Sequence, residues 1–304
     1  MHKFKNFIKE ALILVRGSFF ILNHPANRGN PIKAILKMIY WKFNKHFFKK
    51  DLIIEICPGV KCICPYWSSY GGIIYMTRNP EYYETEIFLK VLQEDSTVFD
   101  VGCNIGYYTL LAAGRATAGK VFSFDVDPRI SKITRKNIKL NNFSKRVTFI
   151  NSLVSDKEGT EDFVCEKESE MSHIAYRQGP GTKKYRAVTL DSFSSRKHLK
   201  RVRIAKIDIE GAEFKVIRGM KKLIIENRID YLIIELNKNI HLLGSTHEEL
   251  MGYLRKCGYN IFIHKNKGFE KMESIKVEKN DINKNILAVS PLVLHSFKKI
   301  SVGN

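Results

Sequence analysis

Residues 97–113 read TVFDVGCNIGYYTLLAA. An apolar run ends at Asp100, a turn carrying Gly102, Asn104 and Gly106 follows, and a helix opens at Tyr107. Gly102 and Gly106 let the backbone approach a ligand closely, and Asn104 tolerates the left-handed conformation that a middle glycine would otherwise supply. A helix that begins there points free amides and the positive end of its dipole at a carboxylate or phosphate. The dinucleotide fingerprint needs glycines as G-x-G-x-x-G, and Asn104 and Tyr107 occupy its second and third glycine places, so a pyrophosphate is disfavoured. The competing reading is an ordinary strand-to-helix turn.

Outward from this turn, strands alternate with helices. TVFDV, KVFSFDV, VTFINSLV, RIAKIDI, DYLIIEL, YNIFIH and ILAV read as strands, with helices from Tyr107 and Arg129 among those between them. That alternation predicts a doubly wound, mostly parallel, seven-stranded Rossmann-like α/β sheet covered on both faces. Asp125 ends the second of these strands, 23 residues after Gly102, where a carboxylate accepts bonds from ribose hydroxyls. Asp127 precedes Pro128 and suits a helix cap. After the third strand, Ser152 and Leu153 stand where a nucleobase would rest.

The chain resembles the FkbM family of methyltransferases in VFDVGCNIGYYT (98–109), FDVDP (124–128), LVSDKEG (153–159), VTLDSF (188–193), KIDIEGAEFKVIRG (206–219) and IIELN (233–237). These motifs stand in the family's order over about residues 80–290, and NHPANRG (23–29) is similar to a leader of some members. Asp125 stands where the family usually has Glu, and Cys103 where it usually has Ala. The resemblance implies a class I fold, S-adenosylmethionine as donor, held by Asp100, Gly102, Asn104, Gly106, Asp125, Ser152 and Leu153, and O-methylation of a sugar, glycan or related natural product. The family's K-x-D-x-E-G-x-E motif falls on Lys206, Asp208, Glu210, Gly211 and Glu213.

Methyl transfer to a hydroxyl requires a group that takes the acceptor's proton as the bond forms. Asp208 or Glu210 is the expected base, with Lys206 and Glu235 shaping the acceptor site and Glu213 beside them. Glu210 and Glu213 equally suit the N-terminus of the following helix, which favours negative charge. His173, in the polar stretch SEMSHIAYRQGPGTKK, is a candidate for acceptor contact against the simpler reading of a solvated loop histidine. Asp191 is a candidate cap of the helix at TLDSF.

Of the net charge of +20, half lies in residues 1–50, which hold eleven Lys or Arg and the single acid Glu10. A field of this sign draws polyanions of any kind. An RNA methyltransferase is therefore a rival reading, although no single-strand stacking motif is evident and nucleic acid is not the expected partner. A catalytically silent binding protein of the same fold is the other. Residues 1–50 are expected to form a basic amphipathic helical extension, 51–96 a β-hairpin and helix lead-in with GGIIYM among its strands, 97–290 the methyltransferase domain and 291–304 a tail. The stripe Phe4, Phe7, Leu12 and Phe19 suits contact with an anionic membrane or internal packing. The longest early apolar run, Ala11–Val15, is too short to span a bilayer, which needs ~20 residues. The six cysteines form no disulfide framework and no ligand set, so reduced thiols, no metal and a cytoplasmic setting, at most peripheral to the inner membrane face, are expected.

Overall fold

A computed structural model describes residues 19–166, 172–176, 179, 181–265, 268–274, 276–277 and 284–302. Residues 1–18, most of the first basic helix expected from the sequence, lie outside them, as does part of the polar stretch around His173. The chain divides into two compact units, Met1–Tyr82 and Tyr83–Asn304.

The first unit holds helix α1 (Pro31–Phe43), a π turn (Asn44–Phe48), the hairpin β1 (Leu52–Cys57) and β2 (Val60–Cys64), and helix α2 (Ser69–Thr77). Asn30 caps α1 through the Lys33 amide, and Pro31 at the first turn costs no hydrogen bond. The hairpin pairs antiparallel as expected. GGIIYM is not a strand but the body of α2: Ser68 accepts from the Gly71 amide and starts the helix. Trp41 explains why glycine recurs there, since a Cβ at Gly72 would lie 2.7 Å from its indole nitrogen. The Trp41 ring stacks on Tyr75 at 5.5 Å.

The second unit opens with helix α3 (Tyr82–Val91) and is built on a mixed eight-stranded sheet. In chain order come β3 (Thr97–Val101), helix α4 (Tyr107–Arg115), β4 (Lys120–Phe124), helix α5 (Pro128–Leu140) and β5 (Val147–Ile150). Then β6 (Leu153–Val154), β7 (Gly159–Val164), β8 (His173–Ile174) and β9 (Thr182–Val188) form a separate four-stranded sheet in the order β6-β9-β7-β8. Helix α6 (Leu190–Arg196), β10 (Val202–Ile207), helices α7 (Glu213–Arg218) and α8 (Lys221–Ile225), and β11 (Ile229–Glu235) follow. The chain ends with helix α9 (His247–Lys256), β12 (Asn260–Lys265), β13 (Gly268–Lys271), β14 (Asn285–Val289) and helix α10 (Leu294–Val302).

The large sheet runs β13-β12-β14-β11-β10-β3-β4-β5. Its five strands from β11 to β5 are parallel, and β14, β12 and β13 pair antiparallel. It therefore has one strand more than expected, the added edge being β13. VTFINSLV does not run as one strand: it breaks at Asn151, whose amide donates to the Asp125 carbonyl, and its second half joins the small sheet. Residues 291–304 are likewise more than a tail, because α10 buries Phe297 against Phe262 and Tyr231. Under the sheet, Phe99, Phe122, Phe124 and Phe193 meet edge to face at 5.1–6.1 Å, the geometry aromatic quadrupoles favour. Asp127 does cap α5, accepting from the Arg129 amide. Asp191 does not cap α6. Thr189 does, and Asp191 accepts instead from the Lys222 and Leu223 amides. None of the six cysteines is in a disulfide, and Cys62 and Cys64 are packed thiols with no exposure. Among the described residues, no helix is long and apolar enough to cross a membrane.

Candidate active site

The strand order reverses between β3 and β10. The chain leaves β3 towards β4 and β5, then returns to lay β10 on the other side of β3. Open α/β sheets bind ligands at the carboxyl ends of such a pair. Val101 and Ile207 face each other in register as the last residues of β3 and β10, so the turn at Gly102 and the acidic segment at Asp208 start side by side. The Asp208 amide donates to the Val101 carbonyl at 3.0 Å. A Cβ at Gly102 would lie 1.8 Å from the Asp208 carbonyl oxygen, and Gly102 has φ +77°, so no other residue fits there.

The turn is held from several sides. The Gly102 and Cys103 amides both donate to the Phe124 carbonyl. Asn104 takes φ +46°, its amide donating to Asp125 Oδ2 at 3.1 Å and its carbonyl accepting from Thr134. Asn137 donates to the Ile105 carbonyl. Asp125 receives a second amide bond, from Asp127, on Oδ1. Each carboxylate oxygen has two lone pairs, so capacity for a further donor remains. The rim of Asp125 reaches solvent, yet burial pushes its carboxyl up to about 7.

Several expected donor-site residues lie beneath this surface. Asp100 is buried, accepts from Thr109 of α4 at 2.6 Å, and is raised by burial to about 6. Ser152 is buried and donates to the Arg186 carbonyl, with Leu153 buried beside it in β6. These three tie the sheets and the first helix together, and present little surface to a ligand.

The acidic segment gathers at the same edge. Lys206, 1% exposed, donates to Asp208 Oδ2 at 3.1 Å and Asn285 Oδ1 at 2.9 Å, and lies 5.5 Å from the Tyr108 ring centroid. Carboxylate oxygens of Asp208, Glu210 and Glu235 come within 4.8 Å of one another. Asn237 bridges two of them, donating to Glu210 Oε2 at 2.7 Å and Glu235 Oε2 at 3.0 Å. Glu235 is pushed up to about 9, first by burial and then by the Asp208 charge, so it carries a proton near neutrality. Among the described residues these three carboxylates are the group able to hold a metal ion.

Glu213 is not part of this surface. It is 0% exposed, its Oε1 accepts from the Gly211 amide, and burial raises it to about 8. Its carboxyl locks the bend at Glu210 and Gly211, where both residues have positive φ, and offers nothing to an acceptor. His173 lies in β8, stacked on Tyr176 at 5.4 Å, in the small sheet. Asn237 and Asn285 were missed in the sequence. Asn237 was legible as the polar residue just past IIEL. Asn285 was not, because only an antiparallel β14 brings its first residue to the edge where β10 and β11 end.

Residues 100–261, just over half of the chain, match the Methyltransferase FkbM domain. The chain belongs to the FkbM methyltransferase family. S-adenosylmethionine is the donor in this family, and the partly exposed Asp125 beside the Asn104 turn could hold it. The Ribosomal protein L11 methyltransferase of Thermotoga maritima is 29% identical over 113 residues, 37% of this chain and 38% of that protein. That of Thermoanaerobacter pseudethanolicus is 27% identical over 119 residues, covering 38% and 33%. The FkbM chain thus spans about a third of the length of these relatives. Among solved structures, M. jannaschii TYW2 in complex with AdoMet gives a TM-score of 0.42 at 15% identity, over 79% of this chain and 85% of that one. Precorrin-6y C5,15-methyltransferase of Geobacter metallireducens gives 0.37 at 14% identity, over 68% and 87%.

Proposed function

We propose that the protein transfers a methyl group from S-adenosylmethionine to a hydroxyl of a sugar, glycan or related natural product, with Asp208 as the base. The observation that carries this reading is the direct contact of the glycine turn with the acidic segment, Asp208 following β10 where Gly102 follows β3. The donor, when bound, supplies an electrophilic methyl on sulfonium. In this reading Asp125 accepts from its ribose hydroxyls, and the residues after β10 and β11 receive the acceptor.

Asp208, with a side chain about one third exposed, can meet an acceptor hydroxyl, and the Lys206 ammonium fixes its orientation. Glu210 and the protonated Glu235 stand around it. The Asp208 carboxylate would take the hydroxyl proton as the acceptor oxygen is methylated, while the C–S electron pair would stay with the donor's sulfur. Positioning of the two reactants supplies the rest of the rate. A cluster built of carboxylates suits hydroxyl-rich, uncharged acceptors and repels phosphate backbones, which weighs against RNA at this edge.

The test offers the protein labelled donor together with free sugars, lipid-linked sugars, RNA and protein acceptors. Label in an O-methyl ether of a sugar or polyol supports the proposal. Label confined to a nucleobase or an amine overturns it.

A further inference from the structure

We propose that the outer face of α1 and the π turn after it is a docking surface for an anionic lipid bilayer. The proposal does not depend on which hydroxyl is methylated. Within the first unit, α1 has two faces of opposite use. Ala34, Trp41 and Asn44 are buried; Trp41 packs on Tyr75 and Gly72 of α2, and Lys37 donates to the Met76 carbonyl. This pins the inner face. At roughly 100° per residue, Ile32, Ile35, Leu36, Ile39, Phe43 and Phe47 then fall in one stripe on the opposite side. All six are exposed, Ile32 at 70% and Phe47 at 68%. A stripe of this size is not the scattered single Leu or Ile of an ordinary surface.

Charge identifies the occupant. Residues 28–50 contain Arg28 and six lysines and no acid. The same helical rotation puts Lys33 on one border of the stripe and Lys42 on the other, both exposed, while Lys45, Lys49 and Lys50 follow at its end. A helix with bulky apolar residues between lysines lies in the plane of a bilayer, side chains in the acyl boundary and ammonium groups at acidic headgroups. A polyanion such as RNA would satisfy the lysines but leave the aliphatic stripe in water. A protein partner matched to the stripe would need acids on both borders. Anionic lipid satisfies both features along the whole helix, about 27 Å from residue 31 to 48.

The test is flotation of the full-length protein with vesicles of phosphatidylcholine alone and with about one third phosphatidylserine, at low and high salt. Binding is expected to the anionic vesicles alone and to fall with salt. Ile35→Ser with Ile39→Ser and Phe43→Ser should lower it at least tenfold, and Lys33→Gln or Lys42→Gln about fivefold each. These side chains are exposed, and an unchanged circular dichroism spectrum checks that the variants fold. Equal binding to neutral vesicles, no binding, or binding untouched by the apolar substitutions would overturn the proposal. So would a soluble dimer that dissociates in the apolar triple variant while vesicles recover nothing, or RNA binding that those substitutions leave intact and vesicles fail to compete.

Discussion

The carbonyl oxygen of Asp208 occupies the place where a side chain on Gly102 would begin, 1.8 Å from that position. Two segments more than a hundred residues apart in sequence therefore share one edge of the sheet, and neither can move without the other. Gly102→Ala should lower stability by at least about 2 kcal/mol, since it adds a left-handed alanine to a backbone collision. Gly29→Ala is the control, with negative φ and nothing within 4 Å, and should be nearly neutral. Urea melts of the two variants measure the difference.

Donor affinity should depend on the charge of Asp125, because ribose hydroxyls donate better to a carboxylate than to a carboxylic acid. Burial holds this carboxyl at about 7 in the free protein. Binding of the ionised form then weakens as pH falls through that value, about tenfold from pH 8 to pH 6. Asp125→Asn should bind more weakly at pH 8 and lose this part of the profile. Calorimetric titrations of both proteins across this range check it, and parallel profiles would remove Asp125 from the donor site.

Asp208→Asn should cut turnover by ~10²–10⁴ while donor binding persists, because the amide keeps the shape and cannot take a proton. Glu235→Gln is the informative comparison. Glu235 already carries its proton below about 9, so at pH 7.5 the amide imitates the native state and turnover should stay within about threefold. Glu210→Gln, with Oε2 held by Asn237, should lie between the two. Single-turnover rates separate chemistry from release, and near-native turnover of Asp208→Asn would move the base elsewhere.

Glu213 gives a pH test of stability rather than of activity. Its folded value of about 8 lies above the ordinary 4.5, so the folded state holds this proton more tightly than the unfolded chain. Stability from this group is fully present below about 4.5 and is lost as pH rises towards 8, by at most about 5 kcal/mol. Glu213→Gln keeps an acceptor for the Gly211 amide and cannot ionise. Its melting temperature should therefore drop less than the wild type's between pH 5 and pH 8.5, and parallel curves would contradict this.

Sequence alone determined the strand, turn and helix at one edge of this protein's sheet. A strand, a glycine turn and a helix are local events, set by side-chain periodicity and by the few residues that tolerate positive φ, so Gly102, Asn104, Gly106 and Asp125 were legible in order. The parallel strands were legible for the same reason, as apolar runs spaced by helices. GGIIYM was misread because a short apolar run fits a strand or a buried helix equally, and Ser68 and the Trp41 ring chose the helix. Tertiary structure alone decided which polar side chains meet. Lys206 and Asn285 stand 79 residues apart and touch because β14 runs antiparallel. Glu213 and Glu235 looked alike in sequence, yet one is sealed under the Gly211 bend and the other joins the cluster with Asp208. Burial and long-range pairing set such outcomes, and both depend on where distant strands lie rather than on the residues beside them.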